Sequence, residues 1–439
     1  MVGRTMSGNP LKGRTVYFPP MTEAGAKVTA AAFRSVGIEA RPMPPSDAET
    51  LAIGGRFSSG EECLPLKVTL GDALKLLVSG QVPPEKMAFF MPASDGPCRF
   101  GMYGPFMKMV FSEMGFEDVL FLSPTNEDGY AGVGEHGQML MRTAWRAIVA
   151  SDLLRKLLFR VRPYETEKGG TDVAFDRAVD ILCAAVEHQG DGARAKRARI
   201  EDAIVRGRAL IHAVPADYSN PRPLIGIVGE IFCRLNKFSN DDVIRKVEEI
   251  GGECWISDVS EWVWYTNAAQ LQLLSRYRRL FTAENVGARV KWHLQRRDEH
   301  AFLSAFGDDF KGYEEAEDIR EIMENARPYL PPEGVLGEMM LSVGKTIYLY
   351  EKGVDGILDI NPFSCMNGIV SEAIYPRVSR MHDGLPIRVL YFDGSGADRR
   401  HELEIFMDLV GEYSARKKTT RRFPPSMKGR GVAPRKAAL

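Results

Sequence analysis

Three of the six cysteines in this chain precede segments whose apolar residues recur at helical spacing. Cys63, Cys98 and Cys365 each stand at such a transition from loop to helix. The N-terminus of a helix offers unpaired N–H groups and the positive end of a dipole, and both favour a thiolate or an anionic cluster. The three transitions therefore predict one shared site that binds an anionic centre through thiolates.

Apolar runs before two of these cysteines indicate how the fold positions them. Residues 87–91 lead to Cys98 and residues 356–360 lead to Cys365, and both runs are typical of buried parallel strands. A turn between such a strand and the next helix lies at the carboxyl edge of the sheet, where open α/β folds bind ligands. The segments 52–60 and 92–96, which are rich in glycine, serine and proline, are the predicted ligand loops.

The spacing of the cysteines limits the kinds of metal site that they can form. The three positions are 35 and 267 residues apart and form no CxxC pair, which excludes the local loops of ferredoxins and zinc ribbons. A site assembled by the fold from three thiolates is still compatible with this spacing, and it would leave one metal position open to substrate or water. The alternative is that the cysteines are buried apolar residues without a ligand.

The other three cysteines have different expected roles. Cys233 follows the strand predicted over 224–232, and it is either a fourth ligand or a packed core residue. Cys183 lies on an apolar helix face and Cys254 in a strand, so we expect both to be buried without a ligand. Several charged residues are either solvated or able to move protons, and none is assigned a catalytic role: Glu61, Glu62, Arg99, Glu230 and Glu261.

Other familiar motifs are missing from the sequence. It contains no GxxxxGK[ST] loop, the GIVG segment at 226–229 lacks the GxGxxG spacing, and the seven histidines form no HExxH pair. The glycine-rich turn at 393–396 follows a predicted strand, and it is interpreted as a plain loop, not as a phosphate site. Neither a P-loop nucleotide enzyme nor a histidine-based zinc enzyme is therefore expected.

Composition predicts a globular chain with more than one domain. With 439 residues, 44% of them hydrophobic, the chain is long enough for two or three domains. Residues 1–19 have no secretory pattern and no apolar run reaches about 18 residues, so neither secretion nor a membrane span is expected. Six cysteines without paired spacing do not predict a disulfide framework, and the expected location is a reducing cytoplasm.

The formal charge of −1 is unevenly distributed along the chain. Residues 1–14 hold three basic residues and residues 416–439 hold nine, and neither segment holds an acidic one. Because the whole chain has 57 basic and 58 acidic residues, the remainder has 45 basic residues against 58 acidic ones. Such an acidic body is not expected to bind nucleic acid. The basic segments 1–14 and 416–439 are expected to be disordered.

Alternating strand and helix patterns predict an α/β protein with two β/α domains, mostly parallel sheets of the Rossmann or flavodoxin kind, and inserted helical regions. The first predicted domain covers 15–130, with strands at 15–18, 38–42, 87–91 and 119–123. A helical region covers 131–220. The second domain covers 221–415, with a helical insert at about 268–330 and strands at 224–232, 254–257, 356–360 and 387–392.

Four segments together resemble a known family: GEECLPLKVTLGDALKLL, MPASDGPCRFGMYG, GIVGEIFCRLNKFSNDDVIRKVEEIGGECWISDVSEW and GVDGILDINPFSCMNGIVSEAIYPRV. The resemblance is to the 2-hydroxyacyl-CoA dehydratase and benzoyl-CoA reductase superfamily, most closely to its branch of CoA-substrate-specific enzyme activase-related proteins. It extends over about 15–409. The cysteine motifs are specific in combination, whereas each alone is weak.

The resemblance implies a [4Fe-4S] cluster in a cleft between two β/α domains, with Cys63, Cys98 and Cys365 as its ligands. It implies that a separate ATP-dependent activator supplies one electron, which the cluster passes to an acyl-CoA thioester to form a ketyl radical. The iron then helps a hydroxyl group to leave. The chain would be a dehydratase-like lyase or an acyl-CoA reductase, and a second dehydratase-like subunit is a further expected partner.

Two positions depart from the family pattern. Asn367 stands where proline often follows the cysteine–methionine pair, and Cys233 stands where no cysteine is expected. The sugar-kinase-like ATPase fold of the activators is also not indicated, so ATPase activity is not expected. Three hypotheses stay open: an acyl-CoA dehydratase or reductase, an accessory electron-transfer iron–sulfur protein with no turnover of its own, and a structural or zinc-binding fold.

Overall fold

Two parallel sheets of four strands, with helices packed against them, organise the protein. The structure is a computed structural model, and it describes residues 10–93, 96, 98–123, 137–277, 279, 281–331 and 337–428. The sheets belong to separate β/α units along the chain, one on each side of a helical region. The predicted α/β class with two β/α domains is thereby confirmed.

The first sheet has the strand order β2-β1-β3-β4, and all of its strands are parallel. Its strands are β1 (Thr15–Phe18), β2 (Ala40–Pro42), β3 (Met87–Phe90) and β4 (Leu120–Leu122). Its helices are α1 (Glu23–Arg34), α2 (Ala48–Arg56), α3 (Leu64–Val78) and α4 (Tyr103–Glu113). Each strand was predicted to within two residues at either end. Short apolar runs bounded by turn residues are typical of strands, so their limits can be read from the sequence.

Three helices follow the first sheet: α5 (Gly137–Val161), α6 (Gly170–Glu187) and α7 (Ala193–His212). Helices α5 and α6 pack on α1, α7 packs on α5 and α6, and all three share one apolar core with β1. This agrees with the helical periodicity of the sequence. The boundary predicted between residues 130 and 131 lies outside the described residues.

The second sheet repeats the strand order of the first, as β6-β5-β7-β8, and is also entirely parallel. Its strands are β5 (Leu224–Gly229), β6 (Glu253–Ile256), β7 (Gly356–Pro362) and β8 (Ile387–Phe392). Its helices are α8 (Ile231–Leu235), α9 (Val243–Glu249), α10 (Val259–Arg276), α11 (Ala283–Ser304), α12 (Ile319–Ala326), α13 (Met339–Glu351), α14 (Met366–Met381), α15 (Arg400–Arg416) and α16 (Pro425–Lys428). The helical insert was predicted to begin at about residue 268, whereas α10 begins at Val259.

In each sheet the chain adds its second strand on one side of the first strand and then crosses to add the other two strands on the other side. This switch point lies between β1 and β3 in the first sheet and between β5 and β7 in the second. Open α/β sheets bind ligands at such a switch point, outside the carboxyl ends of the strands. Cys98 follows β3 at the switch point of the first sheet, and Cys365 follows β7 at that of the second. The topology therefore places these two cysteines where a ligand is expected.

The prediction of a ligand loop at 52–60 was wrong for its first half, which belongs to α2. One glycine of this segment, Gly54, instead allows α2 to touch α3, where Gly71 lies opposite. A methyl group at Gly54 would lie 1.9 Å from the carbonyl oxygen of Lys67, and one at Gly71 would lie 1.9 Å from that of Thr50. The other predicted loop, 92–96, lies partly outside the described residues.

This close approach gives a test of how α2 packs on α3. Gly54→Ala is expected to lower the free energy of unfolding by about 3 kcal/mol, because backbone atoms cannot move aside as a flexible side chain can. Gly55→Ala, in the same helix, places its methyl group in open space and is expected to stabilise the protein by about 0.5–1 kcal/mol. Equal effects in urea unfolding would show that the two helices are not in contact.

The basic ends were expected to be disordered, and the described parts of both ends differ from that expectation. Arg14 donates hydrogen bonds to the carbonyl oxygens of Met87 and Asp118. Arg421 is buried and forms an ion pair with Glu253 of β6. A guanidinium group can bind carbonyl and carboxylate oxygens inside a protein, so a basic segment need not be solvated. Residues 1–9 and 429–439 lie outside the described part of the chain.

None of the helices formed by the described residues combines the length and the apolar composition that a membrane crossing requires.

Candidate metal centre

The charge of one carboxyl group, that of Glu230 just beyond the carboxyl end of β5, acts on four cysteines. Burial raises the pKa of all four thiols, and the charge of Glu230 raises each of them further. The four are the three predicted ligands and the undecided fourth: Cys63, Cys98, Cys365 and Cys233. The fold therefore brings residues that are up to 302 positions apart in sequence within the electrostatic range of one carboxyl group.

Cys63 is the N-cap residue of α3, as predicted from the apolar spacing after it. Pro65 occupies the start of that helix, where the missing N–H of proline is not needed. The thiol of Cys63 is buried, and its Sγ lies 2.6 Å from the hydroxyl oxygen of Tyr103, the first residue of α4. This hydrogen bond lowers the pKa of the thiol, against the larger effect of burial.

Cys98 is the N-cap residue of a short 3₁₀ helix, 99–102, which leads into α4. Its Sγ accepts a hydrogen bond from the N–H of Phe100 at 3.5 Å. The residue belongs to an exposed turn, yet limited hydration of its thiol raises the pKa to about 11, with further contributions from the charges of Glu338, Glu230 and Cys63. The guanidinium of Arg99 donates a hydrogen bond to the carbonyl of Glu61, so the turn that holds Cys98 contacts the loop before Cys63.

Cys365 is the N-cap residue of α14. Ser364 before it has a φ of +62°, a left-handed conformation that costs free energy for a residue with a side chain and is often found at functional sites. Burial and the charge of Glu230 raise the pKa of the Cys365 thiol, while the N–H groups of Gly368 and Asn367 lower it. The first turn of α14 therefore lies beside this sulfur, although none of its N–H groups donates a hydrogen bond to the thiol. A thiolate at this position would be favoured by those N–H groups.

Cys233 lies inside α8 and not just beyond a strand, because β5 ends at Gly229. It is fully buried, and its Sγ lies 3.9 Å from the carbonyl oxygen of Ser239. Besides burial and Glu230, the charges of Cys365 and Cys63 raise the pKa of its thiol. Both readings of Cys233, as a fourth ligand and as a core residue, are compatible with this position.

The two cysteines expected only to pack lie in other parts of the molecule. Cys254 is buried in β6, within the apolar core of the second sheet. Cys183 is half-buried on α6, against the core shared with α1. Glu261, one of the ambiguous carboxylates, forms an ion pair with the buried Lys345, so its role is structural.

A pair of carboxyl groups at the cleft was not predicted as a unit. Glu230 caps α8 by accepting hydrogen bonds from the N–H groups of Phe232 at 3.0 Å and Cys233 at 2.7 Å. Glu338 accepts one from the N–H of Ile231 at 3.1 Å. Burial, together with the charge of Glu230, raises the pKa of Glu338 to about 8. At neutral pH the pair therefore holds a proton beside the thiols.

The raised pKa of Glu338 predicts a pH dependence of stability. Between its ordinary pKa of 4.5 and about 8 the folded protein keeps a proton that the unfolded chain releases, so this carboxyl lowers the free energy of unfolding as pH rises. Relative to Glu338→Gln, wild type should lose up to about 1.4 kcal/mol per pH unit across this range. Urea unfolding at several pH values measures the difference. The control is Glu317→Gln, at an exposed carboxylate, whose stability should follow that of wild type at every pH. If the stability of Glu338→Gln also followed that of wild type, the assignment to Glu338 would be contradicted.

Sequence reasoning also missed Tyr103, whose contact with Cys63 depends on how two distant helices meet. Glu230 was noted as ambiguous because it follows a strand, and that position was a usable signal. Glu338 follows residues 332–336, which lie outside the described part of the chain, and no motif marks it. Side chains that meet only through tertiary packing leave no local pattern in a sequence.

The chemistry of the donor set fits an iron–sulfur cluster. Three thiols at helix starts are soft ligands, and iron would displace the protons that the raised pKa values keep on them. Among the described residues, no group of three or more His, Cys, Asp or Glu side chains is arranged to hold a metal ion. One tetrahedral ion would draw its sulfurs to within about 4 Å of each other, whereas each thiolate of a four-iron cluster binds a different iron.

No model of a known protein family matches the chain, and no curated protein matches it either.

Proposed function

We propose that the chain is an iron–sulfur protein related to the 2-hydroxyacyl-CoA dehydratases, with a [4Fe-4S] cluster held by Cys63, Cys98 and Cys365. One observation carries the proposal: thiols contributed by both β/α units, each at the start of a helix, all experience the charge of the same carboxyl group, that of Glu230. When bound, such a cluster supplies one-electron transfer and a Lewis-acidic iron for chemistry on an acyl-CoA thioester.

The residues around the thiols would have distinct roles in this function. The hydroxyl of Tyr103 would donate its hydrogen bond to the sulfur of Cys63 and fix its orientation. Glu338 would hold a proton at its carboxyl group beside the cleft. The N-terminal N–H groups of α3 and α14 would favour the negative charge of a thiolate-ligated centre.

Contacts between the two units would exclude water from the back of the cleft. Leu64 and Val68 of α3 pack in the same apolar core as Ile227 of β5. The side-chain amide of Asn236 donates a hydrogen bond to the carbonyl oxygen of Pro20 at 2.9 Å. A dry site strengthens the electrostatic interactions inside it and protects a reactive intermediate from water.

The proposal includes partners and a location. An external ATP-dependent activator of the sugar-kinase-like type would deliver the electron, because no nucleotide motif is present in this sequence. A second dehydratase-like subunit is a further proposed partner, and the cytoplasm is the proposed location. The enzyme would be a dehydratase-like lyase or an acyl-CoA reductase.

A second candidate function is that of an accessory electron-transfer protein that turns over no CoA ester. The position of Cys233 favours it, since the charges of Cys63 and Cys365 both act on this thiol. A fourth thiolate ligand would close the cluster to substrate and leave only electron transfer.

EPR spectroscopy of the anaerobically reduced protein separates the two functions. If the site is open, a 2-hydroxyacyl-CoA is expected to change the cluster signal, whereas free CoA without the acyl group is not. If the cluster has four protein ligands, no acyl-CoA will change the signal, and Cys233→Ala will change it while iron is kept. A signal that responds to neither the acyl-CoA nor this variant would contradict both functions.

A further inference from the structure

Helices α10 and α11 form an antiparallel hairpin that is fixed at its base. The indole N–H of Trp264 donates a hydrogen bond to the carboxylate of Glu299 at 3.1 Å, and the side-chain amide of Asn267 donates one to Gln295 at 3.0 Å. Partners therefore move back along α11 as the chain advances along α10, as in an αα-hairpin. The turn that joins the two helices covers 277–282. At 1.5 Å per residue, it lies about 15 Å beyond the Asn267 contact.

The outer part of this hairpin, residues 271–291, is surrounded by water, and we call it the outer hairpin. Of its described residues, Leu274 and Asn285 are the two that are buried. Single exposed apolar residues are ordinary, but several in one short segment indicate a surface that contacts a partner. On each helix two of them are spaced four residues apart and so share one face. The large apolar side chains and their exposed fractions are Leu273 44%, Tyr277 68%, Phe281 98%, Val286 55% and Val290 53%.

The outer hairpin is positively charged, although the chain as a whole has a formal charge of −1. Its described residues include one acidic side chain, Glu284, which lies 3.6 Å from Arg279. Arg289 is bonded to the neutral amide of Asn285 and so keeps its charge. At physiological salt the screening length is about 8 Å, so the acidic body has little effect on charges near the turn. The basic side chains described in this segment are Arg276, Arg279, Arg289 and Lys291.

The shape and chemistry of this surface favour an anionic membrane as its partner. Phe281 projects from the turn and is exposed on all sides, so a folded protein would need a pocket around it, whereas a lipid interface surrounds any side chain that enters it. A nucleic acid would pair with the arginines and leave Val286 and Val290 in water. Basic residues beside apolar ones are typical of helices at the lipid interface, where apolar side chains enter by about 5–10 Å and cations meet anionic headgroups.

We propose that the outer hairpin binds the surface of an anionic membrane. Phe281 would enter the boundary of the acyl chains, and Arg276, Arg279 and Arg289 would meet the lipid phosphates. This contact needs no membrane span and would leave both sheets in water. It is independent of the proposed function, because the insert 259–330 contains no cysteine.

Co-sedimentation of the full chain with vesicles tests the proposal. The protein is expected to bind vesicles of equal parts phosphatidylcholine and phosphatidylglycerol, more weakly as salt rises, and not to bind phosphatidylcholine alone. Phe281→Ser should weaken binding about tenfold and Arg289→Gln about fivefold, since each loses one interfacial contact. Ile405→Ser on α15 and Arg206→Gln on α7 are the matched controls at exposed positions, and both should bind as wild type does.

The outcomes separate this surface from other partners and from the proposed function. All four variants change exposed side chains, so they should unfold at the temperature of wild type. The proposal is overturned if no vesicle binds, if neutral vesicles bind as well as anionic ones, or if Phe281→Ser binds as wild type does. Heparin binding without vesicle binding would overturn it in favour of a soluble polyanion. Vesicle binding by the metal-free chain supports the surface even if no cluster can be loaded.

Discussion

Replacing Cys63, Cys98 or Cys365 with serine is expected to remove most of the bound iron and most of the visible absorbance. A serine hydroxyl keeps its proton at neutral pH and is a poor ligand for iron, whereas a thiolate is a soft and strong one. Iron and sulfide analysis of each variant, purified without oxygen, measures the effect. The change in metal content should be similar at all three positions, because each would bind one iron of the same cluster.

The remaining cysteines provide matched controls for this result. Cys183→Ala and Cys254→Ala should keep the full cluster and lose only about 1 kcal/mol of stability to a small cavity. Cys233→Ala reports whether a fourth ligand exists, through its effect on the EPR signal. If all six single-cysteine variants kept equal iron, the assignment of ligands to helix starts would be wrong.

Glu253→Ala is expected to lower the free energy of unfolding by about 3–5 kcal/mol, the largest stability effect that we predict. This carboxylate is fully buried in β6 and forms ion pairs with Arg160 of α5 and Arg421 near the C-terminus. It also accepts hydrogen bonds from the hydroxyls of Tyr164 at 2.7 Å and Tyr313 at 3.1 Å. Without it, two buried guanidinium groups would lack a counter-charge.

Urea unfolding of the variant beside Glu324→Ala measures this effect. Glu324 is exposed and pairs with Arg327, the C-cap residue of α12, so its removal should change stability by no more than about 0.5 kcal/mol. Arg421→Ala should also destabilise the protein, because the C-terminal segment would lose its anchor on β6. A loss below about 1 kcal/mol for Glu253→Ala would contradict the buried network.

The fold could be predicted from the sequence wherever local pattern and tertiary environment agree. Strand β8 was predicted at its observed ends because Ile387–Phe392 is a β-branched and aromatic run between turn residues. Gly54 misled the prediction, since glycine is typical of loops and also of close helix contacts. The buried position of Arg421 was missed because basic residues near a chain end are normally exposed to water. Here the buried carboxylate of Glu253 pairs with the guanidinium group, and the sequence near Arg421 does not indicate that partner.

The candidate site was likewise predictable from the sequence only in part. The positions of Cys63, Cys98 and Cys365 at helix starts follow from apolar spacing, which is a local property of the chain. The effect of Glu230 on all three thiols depends on how the two β/α units pack, and the contact of Tyr103 with Cys63 depends on how α3 and α4 pack. No spacing rule within one segment could reveal those contacts.

Metal and sulfide analysis of the wild-type protein, purified under strictly anaerobic conditions, tests the central claim most directly. The proposed cluster predicts brown protein with about four iron and four sulfide ions per chain and an EPR signal after reduction. Colourless protein that contains zinc and no sulfide, even after reconstitution with iron and sulfide, would contradict it.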